Sequence, residues 1–156
     1  MKIQKSSRHS KITGNFGEHL VLYWLSKHGF ECAHVDHTGI DVIARHPTSG
    51  ELMGISVKSR CRMPGTERDH LNLFTRDFVK AREACESFGC VPYFAIVVDD
   101  AQRVRVMILP LTHLQKEYGG GPKVLAWQMS EKRLARYGAD PAIKRFELSI
   151  EPGNWW

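Results

Sequence analysis

The sequence predicts an α/β domain with a central mixed β-sheet flanked by helices. Three observations carry that prediction. Residues 91–98 (VPYFAIVV) form a near-continuous apolar run, the mark of a strand buried on both faces. Residues 40–45 and 51–59 alternate or run apolar around a turn-forming HPTSG stretch, as a hairpin does. Two segments with helical periodicity, 13–27 and 75–88, stand on either side of that hairpin.

Taken in order, the chain opens on residues 1–12, which carry Lys2, Lys5, Arg8 and Lys11 and no acid. This stretch has too little apolar content to fold alone. It reads as a flexible basic arm, either tracking phosphates or simply an untethered terminus. Residues 13–156 make one domain. Thr13 or Asn15 caps the first helix, and Phe16, Leu20, Tyr23, Trp24 and Leu25 mark its apolar face. Glu18 lies near its start, where the helix dipole favours an acid. Gly14 and Gly17 permit close backbone approach there, so Glu18 is either a surface acid or a site residue. Gly29 ends the helix.

A short strand follows at 30–34, then a connection through Asp36, His37, Thr38 and Gly39 to the hairpin. Asp41 sits on the first hairpin strand among apolar neighbours, and Lys58 sits near the end of the second. Side chains alternate along a strand, so Leu52, Gly54, Ser56 and Lys58 share one face and Glu51, Met53, Ile55 and Val57 the other. Residues 60–69 form a basic loop broken by Pro64-Gly65. Thr75 caps the second helix, whose apolar face is Phe78, Ala81, Ala84, Cys85 and Phe88. Beyond the buried strand, residues 104–109 form a strand and 111–118 a short helix. Residues 125–129 pair at a sheet edge, 130–137 form a helix capped by Ser130, and 144–150 alternate as an edge strand. Trp155-Trp156 pack back on the domain or on a partner subunit, because two exposed indoles are costly.

Composition narrows the function classes. The net charge of +5 and pI near 9.1 point mildly to polyanionic partners, nucleic acid first. Four cysteines without a CxxC pair read as reduced thiols of a cytoplasmic protein. No apolar run reaches membrane-spanning length, and no signal-peptide core follows the basic start. GxxxxGK[ST] and GxGxxG are absent, which argues against a nucleotide-binding fold. His34 and His37 near Cys32 lack a second ligand pair at zinc-site spacing and read as solvated loop residues. Cys61 between Arg60 and Arg62 has no assigned base.

Asp41 and Lys58 are the pair that carries chemistry. An acid and a lysine on neighbouring strands suit a metal and a polarising cation beside a phosphate. The competing reading is a buried ion pair that stabilises the sheet. Gly17-Glu18, Gly39-Ile40-Asp41-Val42-Ile43-Ala44 and Ile55-Ser56-Val57-Lys58-Ser59, in that order and spacing, resemble the PD-(D/E)XK nuclease superfamily, and within it the small Holliday-junction-resolvase-like and very-short-patch-like branches. The resemblance covers about residues 13–98.

The resemblance implies a restriction-endonuclease-like fold and a Mg²⁺- or Mn²⁺-dependent DNA endonuclease, acting in repair, recombination or mobile-element biology. Asp41 then binds the metal, Glu18 joins its shell, the carbonyl of Val57 contributes, and Lys58 orients water or offsets charge. Branched or structured DNA is the implied partner. A homodimer is expected, since related nucleases cut two strands with paired sites. Arg60, Arg62, Arg68, Arg76 and Lys80, with Arg82 beside them, form the candidate phosphate track; a solvated charged face is the plainer reading of the helix residues. Ser56 departs from the pattern, because an acid or Gln usually stands two residues before the lysine. Either the site works without it, or Asp77 or Glu83 replaces it, or catalysis is lost and DNA binding kept. An interaction module without nucleic acid is the remaining alternative.

Overall fold

The computed structural model describes residues 4–154. Its elements are α1 (His9–Lys27), β1 (Glu31–His37), β2 (Ile40–Arg45), β3 (Leu52–Cys61), β4 (Leu71–Phe74), α2 (Thr75–Phe88), β5 (Val91–Asp99), β6 (Arg103–Pro110), α3 (Leu111–Tyr118), β7 (Val124–Trp127), α4 (Glu131–Ala139) and β8 (Lys144–Ser149). Six strands form one mixed sheet in the order β1-β2-β3-β5-β6-β8. β3 and β5 are parallel, and the other neighbours in it are antiparallel. The expected mixed sheet flanked by helices is therefore present.

The sheet is covered on both faces. On β5, Phe94, Ile96 and Val98 enter one core cluster and Ala95 and Val97 the other, and all five are buried. This is the strict alternation of a central strand. α1 closes one cluster with Leu20, Val21 and Leu25. α2 and α3 close the opposite one with Phe78, Ala81, Leu111 and Leu114. β8 lies at the sheet edge beside β6, as its alternation predicts.

Several sequence expectations are corrected. α1 begins at His9, not at Thr13, so part of the expected basic arm is helix. Thr13 does not cap; its Oγ1 donates back to the His9 carbonyl inside the helix. Lys5 donates to the Cys61 carbonyl at 2.8 Å and so ties the arm to the end of β3. The buried stripe of α1 is Gly17, Leu20, Val21 and Leu25, whereas Phe16 and Tyr23 are 46% and 58% exposed. The aromatics misled because the contact face is set by a glycine. Phe88, expected on the buried face of α2, is exposed. Residues 124–127 do not extend the main sheet. They pair with β4, which the sequence reading missed, in a separate two-stranded ribbon that buries Leu71, Leu73, Leu125 and Trp127. Four residues are too few for periodicity to declare a strand. Trp155 and Trp156 lie outside the described residues.

Candidate active site

The site forms where β2 and β3 part. Their backbone register runs from Arg45↔Leu52 to Val42↔Ile55 and goes no further. Beyond that point the Val57 N–H meets no β2 carbonyl in the register. Asp41 supplies the acceptor instead, with Oδ2 at 2.7 Å. One carboxylate thus satisfies an orphaned strand donor and is fixed by it.

The chain also breaks its alternation here. Ile40 packs against Ala84 and Cys85 of α2 with Ile43 beside it, yet Val42 joins the α1-side cluster. The β1–β2 register shifts between His34 and His37, a bulge-like irregularity of the kind that re-aims side chains beside functional sites. Gly39 has φ +103, and a Cβ there would run into the backbone carbonyl of Lys80. Only glycine allows this turn to lie against α2.

Two helices bring the remaining groups. α1 lies close to β3 at Gly17, where a Cβ would collide with Ser59 Oγ. That approach places Glu18 at the site. Its Oε2 accepts from His34 Nε2 of β1 at 2.7 Å. On the other face, Gly54 meets Cys85 of α2 and Lys58 meets Asp77 of α2, so the row Gly54, Ser56, Lys58 faces that helix as the strand parity requires. Lys58 Nζ stands 3.3 Å from Asp77 Oδ2, both side chains being partly exposed. Ser56, two residues before Lys58 on the same face of β3, is buried, 2% exposed.

Asp41 is the electrostatic hub. Burial pushes its carboxyl above the ordinary range, the Val57 N–H opposes that, and the Glu18 charge pushes it further up. Lys58 and His34 pull it back, and the net shift is upward. Glu18, His34 and Lys58 therefore all lie close enough to Asp41 to act on its charge. Among the described residues, no group of three or more His, Cys, Asp or Glu side chains converges on a metal-sized position. Asp41 and Glu18 remain as two carboxylates, the charge of Glu18 acting on Asp41. Mg²⁺ keeps several waters and takes one or two carboxylates from a protein, so this donor set suits it.

The other predicted site residues divide. Asp77 comes to Lys58. Glu83 does not; it is exposed further along α2, on a shallow cleft with His37, Thr38 and Lys80. Of the phosphate-track candidates, Arg60, Arg76 and Lys80 are exposed. Arg76 lies over the Phe74 ring, 4.7 Å from its centroid. Arg62 instead donates to the carbonyls of Asp69 and His70 and ties down the loop. Arg68 pairs with Glu131 at 2.6 Å on the surface. His34 is the neighbour that sequence reasoning set aside as a loop histidine. Its partner Glu18 lies on a different element, so no local pattern in the sequence points to it.

No protein-family model and no curated protein sequence matches the chain. Among solved structures, the chain is similar to Hjc of Archaeoglobus fulgidus, a Holliday junction resolvase from an archaeal hyperthermophile. The identity is 20%, the TM-score is 0.56, and the match covers 79% of this chain and 88% of the other. At that identity the likeness speaks for architecture: the mixed sheet between helices is a restriction-endonuclease-like fold, shared with that resolvase.

Proposed function

We propose that this chain is a divalent-metal-dependent DNA endonuclease that acts on branched or structured DNA. The observation that carries the reading is the Asp41 carboxylate, fixed by the Val57 N–H at 2.7 Å where β2 and β3 part, with the charges of Glu18 and Lys58 both acting on it. Each comes from a different element, and a simple ion pair needs only two of them. The likeness to a Holliday junction resolvase supports branched DNA as the substrate class.

In this reading Asp41 and Glu18 hold Mg²⁺ or Mn²⁺, with the Val57 carbonyl alongside. When bound, the ion supplies a nucleophilic water and charge stabilisation at the phosphate. Asp41 is oriented by the Val57 N–H and kept beside Glu18 despite their repulsion. Lys58 offers its cation to the charge that develops on the scissile phosphate. Asp77 of α2 holds that cation in place. Arg60, Arg76 and Lys80 position the duplex through phosphates and read no sequence. Two copies of the chain serve a branched substrate that needs paired cuts.

The test is cleavage of supercoiled, linear and four-way-branched DNA with Mg²⁺, Mn²⁺ or EDTA. Metal-dependent cleavage, lost in Asp41→Asn and Lys58→Ala, is expected. Ser56, neutral and buried, favours one second reading: a DNA-binding protein on the same fold with a silent site. Salt-sensitive binding without cleavage in any metal selects that reading. Absence of binding at low salt removes both and leaves the interaction module.

A further inference from the structure

We propose that His34 is a positioning residue for Glu18, holding that carboxylate beside Asp41 and thereby setting the affinity of the site for a divalent cation. The inference rests on the nuclease reading of the Asp41 site.

Glu18 is poorly placed to stay where it is needed. It projects from a helix with its side chain 23% exposed, and it carries the same charge as Asp41. A free Glu side chain has up to about 2 kcal/mol of rotamer entropy to lose on fixing. Repulsion from Asp41 adds to the tendency to swing into solvent. His34 counters both. Its Nε2 donates to Glu18 Oε2 at 2.7 Å, and it leaves the other carboxylate oxygen for the ion.

The ring is itself held. His34 stacks on His19, with centroids 5.1 Å apart and planes 24° apart. His19 Nδ1 is in turn within 2.8 Å of the Asn15 carbonyl, one turn back on α1. The strand register places His34 opposite Val42, next to Asp41. The Asp41 carboxyl responds to the His34 charge as well as to that of Glu18. His37, three residues on, does not take part: its ring packs edge-on against Phe88. A donor that orients a ligating carboxylate in this way is worth about 10–100-fold in metal affinity.

The experiment is Mn²⁺ binding to DNA-free protein, followed by electron paramagnetic resonance, for wild type, His34→Ala, His34→Gln and His19→Ala. His34→Ala is expected to weaken Mn²⁺ about 10–100-fold. His34→Gln keeps an N–H donor and recovers most of the affinity. His19→Ala, a change at an exposed helix position, frees the ring and gives an intermediate loss. Affinity for branched DNA in EDTA stays unchanged in all three. In cleavage assays the half-saturating metal concentration of His34→Ala rises, while kcat at saturating metal returns to within a few-fold of wild type. Mn²⁺ affinity within twofold of wild type in His34→Ala, with the fold intact by circular dichroism, overturns the proposal and leaves the nuclease reading standing. Wild type that binds no Mn²⁺ overturns both. Equal loss in His34→Gln and His34→Ala also overturns it, because a donor alone then does not suffice.

Discussion

Two carboxylates of this chain, Asp41 and Asp140, meet burial in opposite ways. Asp140, at the end of α4, is surrounded by donors. His113 Nε2 lies 2.7 Å from its Oδ2, the Tyr118 hydroxyl donates to the same oxygen, and the Ala142 N–H donates to Oδ1 at 2.9 Å. Burial pushes this carboxyl up, but the donors outweigh it and hold it at about 2. Asp41 has one donor, a neighbouring carboxylate and a net upward shift. The first is a completed knot that ties α3 to α4. The second is a charge arrangement that gains most from an added cation. Incomplete compensation, beyond burial itself, is what separates a candidate site from structural framework.

The largest expected effects test that contrast directly. Asp41→Asn should lower metal-dependent cleavage by a thousandfold or more, since the several kcal/mol of charge stabilisation an ion supplies is roughly tenfold per 1.4 kcal/mol. Its melting temperature should hold or rise, because a carboxylate that disfavours its own charge is removed. Asp140→Asn should reverse the pattern. Cleavage stays near wild type, while stability falls by about 2 kcal/mol, the scale of lost charge-assisted bonds, or roughly 4–8 °C. Titration separates them as well. The folded-state carboxyl of Asp140 is depressed, so its contribution is full above about pH 4 and is lost as pH falls towards 2. Asp41 is raised, so its contribution grows more favourable as pH falls through its folded value. Mg²⁺ at a hundred times its dissociation constant should stabilise wild type by about 2.7 kcal/mol and leave Asp41→Asn unmoved. A calorimetric scan of the three proteins, with and without Mg²⁺ and at stepped pH, checks each point. Equal melting losses in the two variants would break the comparison.

The contrast also explains what was legible in the sequence. Asp41, Lys58 and Glu18 stand out as candidates in the sequence because they lie in order on segments with clear periodicity. The face of β3 was found because strand alternation is strict. Asp140, His113 and Tyr118 were not, since α3 and α4 are short and their residues meet only through tertiary packing. The same reason hid His34, whose partner Glu18 lies on another element. The helix face of α1 was misjudged because a glycine contact, invisible to hydrophobicity, set the rotation of the helix. Arg62 and Arg68 were counted as free cations because sequence does not reveal the carbonyls and the acid that engage them.

A smaller effect sharpens the identity of the second acid. Ser56 is buried and neutral, and Asp77 is the acid beside Lys58. If Asp77 holds the lysine in place, Asp77→Asn should lower kcat about tenfold with little change in KM, as loss of an interaction felt mainly in the transition state does. Ser56→Ala should leave kcat within about threefold, the hydroxyl having no charge to contribute. Steady-state cleavage of a branched substrate at saturating Mg²⁺ distinguishes them. A larger loss in Ser56→Ala than in Asp77→Asn would return the serine to the chemistry.

The smallest effects lie on the surface and divide the cations as the structure does. Arg76 and Lys80 are exposed on α2, on the helix that carries Asp77. Replacing either with Ala should weaken DNA binding uniformly across sequences and lower the slope of log affinity against log salt by about 1. Arg68 is paired with Glu131, and exposed pairs of this kind contribute at most about 1 kcal/mol, so Arg68→Ala should change stability little. Arg62 differs, because its guanidinium carries two backbone carbonyls of the 60s loop. Arg62→Ala should therefore raise protease sensitivity within residues 62–70 while leaving the salt slope unchanged. Limited proteolysis beside a salt titration of binding reads both quantities on the same proteins. A salt-slope change in Arg62→Ala equal to that of Lys80→Ala would move the phosphate track from the helix to the loop.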